Sequence, residues 1–127
     1  MWEYQNSLSN AKKFLEFRNE SKIAYDLFKI NDEQIRLGKT ESGQSSILQI
    51  VAKANVNLSF VCTNNDSYGT FEIFSSGQSW TVDFNGYQRI DLTLYQGDSV
   101  RISYTMWSGT SSSPDAYISE MYISSLN

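Results

Sequence analysis

The strongest structural signal in this sequence is a run of alternating apolar and polar residues in the middle of the chain. The even-numbered positions from 48 to 62 are all apolar, and the odd-numbered positions between them are mostly polar. Side chains alternate between two faces in a β-strand, whereas a helix repeats every 3.6 residues, so this pattern predicts strands with one buried face. The run is longer than an ordinary strand of about 5–6 residues. We therefore expect two strands, or one strand crossing a sandwich corner, with a bend near residues 53–55.

Turn-forming residues follow this run at regular intervals. Polar turns at 64–67, 75–78, 85–86 and 96–99 separate short apolar stretches. Asn85-Gly86 predicts a type I′ hairpin, because both residue types accept positive φ angles. Strands spaced by roughly 8–12 residues with such turns between them are typical of an all-β sandwich or barrel. We predict an antiparallel, jelly-roll-like β-sandwich over residues 23–127, built as one domain.

Residues 1–22 precede the strand-rich region and allow two interpretations. Ser9-Asn10 followed by residues 11–17 matches the start of a short capped helix. The alternative is an N-terminal arm that docks on a partner surface, because its aromatic side chains would otherwise be exposed. The candidate docking residues are Trp2, Tyr4, Phe14 and Phe17.

The composition argues against several classes of function. The chain contains no histidine, so neither a Ser-His-Asp triad nor a Cys-His pair can be built. Its formal net charge is −4 and its ten Lys and Arg residues are scattered, which argues against a nucleic-acid partner. Glu72, Asp83 and Asp91 are carboxylates of the type that glycosidases use, but the alternation turns them toward solvent rather than into a cleft. We expect a protein that is not an enzyme.

The single cysteine and the first six residues are relevant to the cellular location of the protein. Cys62 falls at an inward-facing position, which predicts a buried core residue and allows no internal disulfide. Residues 1–6 lack the basic and apolar regions of a secretory signal, and no stretch is long enough to cross a membrane. The protein then stays in the cytoplasm, leaves by lysis as part of a virion, or has lost a leader and works outside the cell or at its surface.

Several segments between residues 27 and 123 carry a resemblance to known domains. They are 28–32, 35–38, 45–48, 58–60, 80–82, 90–98, 100–104 and 115–121. Together they resemble the jelly-roll sandwich domains of bacterial surface proteins, of carbohydrate-binding modules and of bacteriophage tail and appendage proteins. The resemblance implies a fold, and a fold does not fix a function. Such domains often end on Asp-Ala-Tyr-Ile followed by Asp-Asn, whereas this chain has Ser119-Glu120 in place of that last pair.

A structural calcium ion is the only cofactor that the sequence raises. Calcium takes oxygen ligands, for which Asp66, Asp98, Asp115 and Glu120 are candidate donors. The alternative is that these residues shape turns and cap strand ends, which aspartate does without a metal. Because aspartate favours turns by itself, the alternative is favoured over calcium, and Ser119-Glu120 in place of the Asp-Asn pair weakens the calcium that the resemblance implies.

Three aromatic residues are candidates for ligand binding. Trp107 falls out of phase with the inward-facing residues of the preceding strand, Tyr117 follows the Ser-rich loop 108–114, and Tyr87 follows the Asn-Gly turn. Flat rings stack on the apolar faces of sugars while neighbouring polar side chains bind the hydroxyl groups. The alternative is that these rings pack at loop ends or in a subunit interface.

These observations lead to one main hypothesis and two alternatives. The main hypothesis is a non-catalytic structural or attachment module of a bacteriophage or similar particle, which assembles with copies of itself or with other virion proteins and touches host glycan. The first alternative is a carbohydrate-binding or adhesion domain of a larger secreted bacterial protein. The second is a small hydrolase, against which the lack of histidine counts most.

Overall fold

The computed structural model describes residues 3–4, 11–20, 28–30, 34–37, 45–65, 69–106 and 116–126. Within those ranges the elements are eleven strands. They are β1 (Glu3–Tyr4), β2 (Leu15–Asn19), β3 (Phe28–Ile30), β4 (Ile35–Leu37), β5 (Ser45–Ala52), β6 (Val56–Asn64), β7 (Gly69–Ser75), β8 (Gln78–Val82), β9 (Gly86–Leu94), β10 (Ser99–Met106) and β11 (Ala116–Ser125).

The strands form two antiparallel sheets that enclose one core. Sheet 1 has the order β3-β4-β11-β6-β9, with β1 also paired to β11, and sheet 2 has the order β2-β5-β10-β7-β8. Every pairing between these strands is antiparallel. Alternate residues of both sheets are buried between them, as expected for a sandwich. The predicted antiparallel β-sandwich is therefore confirmed.

The long alternating run forms two strands that lie in different sheets. β5 ends at Ala52 in sheet 2 and β6 begins at Val56 in sheet 1, so the chain changes sheet within residues 53–55. The Asn55 side-chain oxygen accepts a hydrogen bond of 2.8 Å from the backbone N–H of Gln96, which ties this corner to the β9–β10 turn. The even positions of both strands are buried, among them Cys62, as the alternation predicts.

The predicted helix over residues 11–17 is wrong at its C-terminal half. Residues 12–14 form a turn in which the Phe14 N–H donates to the Ala11 carbonyl at 3.0 Å, and Leu15–Asn19 is strand β2, paired with β5. Leu15 and Phe17 alternate like strand residues, and β5 supplies an open edge with which they pair. The proposed boundary after residue 22 stays a prediction, although the sheets take strands from both sides of it.

The predicted hairpin at Asn85-Gly86 is wrong, because the two strands that it joins lie in different sheets. Asn85 has the expected positive φ of 64°, but the turn crosses from β8 to β9 over the edge of the sandwich. The two-residue hairpin lies one turn earlier, where Ser76 and Gly77 join β7 to β8. Their φ angles of 49° and 80° are both positive, as a type I′ turn requires.

Two further features of the described residues complete the fold. Trp80 on β8 is partly buried and packs against the core, on the same side of the strand as the buried Val82. Within the described ranges, the structure contains no helix that is long and apolar enough to cross a membrane.

Candidate functional site

The outer face of sheet 1 carries two rows of polar and aromatic side chains across its strands β11, β6 and β9. The first row consists of Tyr117, Thr63 and Tyr87, which are cross-strand partners. Neighbouring strands lie about 4.8 Å apart, so the two tyrosines are separated by roughly 10 Å. Tyr87 is 77% exposed and Tyr117 is half-buried. Two of the three predicted ligand-binding residues therefore lie on one face.

The second row lies four residues further along β6 and contains a third tyrosine. Tyr122 is opposite Ser59, and Ser59 is opposite Asp91 on β9. At about 3.3 Å per residue, the two rows are roughly 13 Å apart along the strands. The two rows together form a platform longer than a single sugar ring, which is similar in size to a tyrosyl ring.

A β-bulge on β11 brings Tyr122 to this face. Glu120 and Met121 lie between Ser119 and Tyr122 on β11, whereas only Phe60 lies between their partners on β6. Glu120 takes a left-handed conformation with φ of 51°, as a bulge residue can. The extra residue reverses the alternation, so Met121 is buried and Tyr122 points outward. With uninterrupted alternation from Ala116, Tyr122 would face the core.

Arg89 lies between the two rows and is held by three neighbours. Its Nη1 donates a hydrogen bond of 2.7 Å to the hydroxyl of Ser59, and its Nη2 is 3.8 Å from a carboxylate oxygen of Glu120. Its guanidinium carbon is 5.7 Å from the ring centroid of Tyr122, within the range of a cation–π contact. These contacts restrain the guanidinium, which has further N–H donors that a ligand can use.

A second arginine lies against the first row. The guanidinium carbon of Arg36 on β4 is 4.9 Å from the ring centroid of Tyr117, and the two residues are cross-strand partners. The contact restrains the Tyr117 ring and places a second set of N–H donors beside it.

The second row lines a depression that is open to solvent. Its volume is about 340 Å³, and its lining residues are Ser59, Arg89, Asp91 and Tyr122. The lining combines an aromatic ring with a hydroxyl, a guanidinium and a carboxylate, which suits a ligand with an apolar face and several hydroxyl groups. Arg89 and Asp91 place one positive and one negative charge in the described lining, and Arg89 also faces the carboxylate of Glu120 outside it.

The other predicted ligand-binding and metal-binding residues are placed as follows. Trp107, Asp115 and Asp66 lie outside the described residues. Asp98 closes the β9–β10 turn, where its carboxylate accepts a 3.0 Å hydrogen bond from the Tyr95 N–H. Glu120 lies in the bulge of β11, and the described part of the chain contains no group of three or more acidic or cysteine side chains able to hold a metal. Asp98 thus has the turn-forming contact that its alternative interpretation predicts.

The predicted docking residues lie in different environments. Phe14 and Phe17 are partly buried and pack against the core, so the sandwich itself covers part of their surface. The backbone of Tyr4 pairs with that of Tyr122 in sheet 1, and Trp2 lies outside the described residues. Docking through these residues stays a prediction.

Of the three candidate glycosidase carboxylates, Glu72 and Asp91 lie on opposite outer faces of the sandwich, and Asp83 lies in the exposed β8–β9 turn. Asp91 lies on the outer face of sheet 1, whereas Glu72 lies on β7, where its buried neighbours Phe71 and Ile73 turn it to the outer face of sheet 2. The core of the sandwich separates the two carboxyl groups.

The sequence did not single out Tyr122, Arg89 or Arg36 as site residues. Arg89 and Asp91 alternate with buried Ile90, so the pattern of β9 does place both on the outer face. Tyr122 carries no such signal, because the bulge residue is a glutamate rather than the glycine that would mark a left-handed position.

No family model and no curated protein matches this sequence. Among solved structures, the chain is similar to the carbohydrate-binding module TmCBM61, solved in complex with β-1,4-galactotriose, with 9% identity, 88% of each chain covered and a TM-score of 0.45. It is similar to a family 35 carbohydrate-binding module from an environmental isolate, with 12% identity, 87% of this chain and 91% of that chain covered and a TM-score of 0.43. It is also similar to tailspike protein 4 of bacteriophage CBA120, with 9% identity, 88% of this chain and 18% of that chain covered and a TM-score of 0.42. At these identities and TM-scores, a function has to be inferred from this chain's own residues.

Proposed function

We propose that the chain is a non-catalytic carbohydrate-binding module whose site is the outer face of sheet 1. The observation that carries the proposal is the pair of rows on this face, in which Tyr87 and Tyr117 lie on one side of Arg89 and Tyr122 contacts its restrained guanidinium. Sugar rings have apolar faces that stack on tyrosine and hydroxyl groups that bind arginine, serine and aspartate. The extent of the platform fits an oligosaccharide rather than a single sugar.

The charges around the depression favour a neutral glycan. Arg89 is already paired with Glu120, and the carboxylate of Asp91 repels an acidic sugar. The same carboxylate accepts hydrogen bonds from sugar hydroxyl groups. We therefore expect neutral oligosaccharides to bind better than those with uronic or sialic acids.

The proposal places the protein where glycans occur, outside the cell or at its surface. It also makes the chain a binding domain rather than an enzyme, since Glu72 and Asp91 lie on opposite outer faces and the sequence lacks histidine. A role as an attachment module of a bacteriophage or similar particle stays a prediction. It requires, in addition to glycan binding, assembly with copies of itself or with other particle proteins.

A glycan array followed by titration calorimetry with the bound oligosaccharides tests the proposal. We expect Tyr87→Ala and Tyr122→Ala each to weaken binding about tenfold, which corresponds to about 1.4 kcal/mol. Removal of a ring that is 77% exposed should leave the fold intact, so the Tyr87 variant reports on binding rather than on stability.

Tyr95→Ala is the matched control. Tyr95 is also an exposed tyrosine, at 59%, but it follows the end of β9 in the β9–β10 turn and belongs to neither row. Its variant should bind like the wild type. Equal losses in all three variants, unchanged binding by the Tyr87 and Tyr122 variants, or an array without any bound glycan would each contradict the proposal.

A further inference from the structure

Strand β9 forms a long and regular edge of sheet 1. It runs over Gly86–Leu94, and its register with β6 is unbroken from Val56 opposite Leu94 to Asn64 opposite Gly86. Among the described residues, no strand pairs with its other side. Proteins usually protect such an edge with proline, with a bulge or with charged side chains, lysine above all. β9 contains neither proline nor lysine and no bulge in this pairing, and its charged side chains are one arginine and one aspartate.

The centre of β9 is complementary to itself in charge. Arg89 and Asp91 flank the buried Ile90, and both point to the outer face. When two copies of this strand pair antiparallel about Ile90, Arg89 of each copy lies opposite Asp91 of the other. Opposite charges at directly opposed positions stabilise an antiparallel pair. The same register places Tyr87 opposite Thr93 of the second copy.

Other registers of the same two strands are unfavourable. Centring the pair on Arg89 or on Asp91 places two like charges directly opposite each other. A shift by a single residue would place the outer face of one copy beside the core face of the other, which would expose Ile90 and Leu94. Among these registers, the one centred on Ile90 is therefore the one that places Arg89 of each copy opposite Asp91 of the other and keeps the core residues of both copies covered.

We propose that two copies of the chain associate through their β9 strands, antiparallel and centred on Ile90, so that their sheets 1 form one continuous sheet. Besides the N–H groups that face Ser59 and Glu120, the guanidinium of Arg89 has further donors that can contact Asp91 of the second copy. The association does not depend on a glycan, so its test is made without one.

Light scattering after size-exclusion chromatography, over a range of protein concentrations, measures this association. The wild type should have twice the chain mass at the highest concentration. Asp91→Arg and Arg89→Asp should each elute with the mass of one chain, because each places like charges opposite each other. An equal mixture of the two variants should regain the doubled mass, since Arg89 and the introduced arginine then face two aspartates.

Two control variants make the same charge changes elsewhere. Asp83→Arg lies in the exposed β8–β9 turn and Arg101→Asp on the exposed outer face of sheet 2, and both should keep the doubled mass. Circular dichroism must show that all variants are folded. A wild type with the mass of one chain at every concentration, charge variants that remain dimers, or a mixture that fails to reassociate would each overturn the proposal.

Discussion

Cys62 is a core residue whose side chain is completely shielded from solvent. Its side chain is fully buried on β6, and this burial raises the pKa of the thiol well above its ordinary value. Because the thiolate is the reactive form, a buried and protonated cysteine is inert. The sequence placed Cys62 inward from the alternation alone, and at this residue the local pattern was sufficient.

The reactivity of this thiol is therefore a sensitive measure of folding. At about pH 8, the native protein should react with Ellman's reagent at least a hundredfold more slowly than the chain in guanidinium chloride, where one thiol should titrate at once. The absorbance of the released product follows the reaction. Complete titration of the native protein at the rate of the unfolded chain would show that Cys62 is accessible.

At the scale of the elements, the bulge of β11 decides which residues form the candidate site. It reverses the alternation between Ser119 and Tyr122, and it requires Glu120 to adopt a φ of 51°. A side chain with a β-carbon pays a steric penalty in this region, which glycine avoids.

Two substitutions of Glu120 measure the energetic cost of this left-handed conformation. Glu120→Gly and Glu120→Ala both remove the exposed contact with Arg89, but only glycine accepts the left-handed conformation without strain. We expect the glycine variant to be more stable than the alanine variant by about 1 kcal/mol. Urea denaturation of the two variants gives the difference. Equal free energies of unfolding would mean that the bulge relaxes without cost.

Elements are also where prediction from the sequence succeeded and failed most clearly. The long alternation predicted β5, β6 and the corner between them, because one buried face imposes period two on the sequence. The residue types Asn85-Gly86 correctly indicated a turn. They could not show that this turn connects two different sheets, because that depends on the strands with which β8 and β9 pair. The helical one of the two interpretations offered for residues 11–17 failed at β2, because five residues carry a weak local signal and the pairing with β5 decides their structure. Tyr122 was missed because the bulge at Glu120 exchanges inward-facing and outward-facing positions on β11, and no residue type in the sequence marks this bulge.

At the scale of the whole molecule, Asn64 links the two sheets at the crossing from β8 to β9. The amide group of its buried side chain donates a hydrogen bond of 3.0 Å to the backbone carbonyl of Val82. The backbone carbonyl of Asn64 accepts a hydrogen bond of 2.8 Å from the Asn85 N–H. The last residue of β6 in sheet 1 is thereby joined to the last residue of β8 in sheet 2.

Loss of the Asn64 side chain should destabilise the whole sandwich. Asn64→Ala leaves a buried carbonyl without this donor, and we expect it to lower the free energy of unfolding by about 1–3 kcal/mol. Asn57→Ala is the control, because its hydrogen bond with Thr93 lies at the surface and its loss should cost less than about 0.5 kcal/mol. Thermal denaturation of both variants measures the difference. Similar losses in the two would show that the link between the sheets is not important for stability.

The pairing of β1 with β11 has a consequence for how this fold can be combined with others. Glu3 lies directly opposite Ile123, so the backbone enters and leaves the sandwich at neighbouring points, about 5 Å apart. A short peptide would close the chain into a ring, and the ring could be reopened at the exposed Ser76-Gly77 turn without breaking a strand. For the same reason, the unit can be inserted into a surface loop of another protein with little displacement of its host.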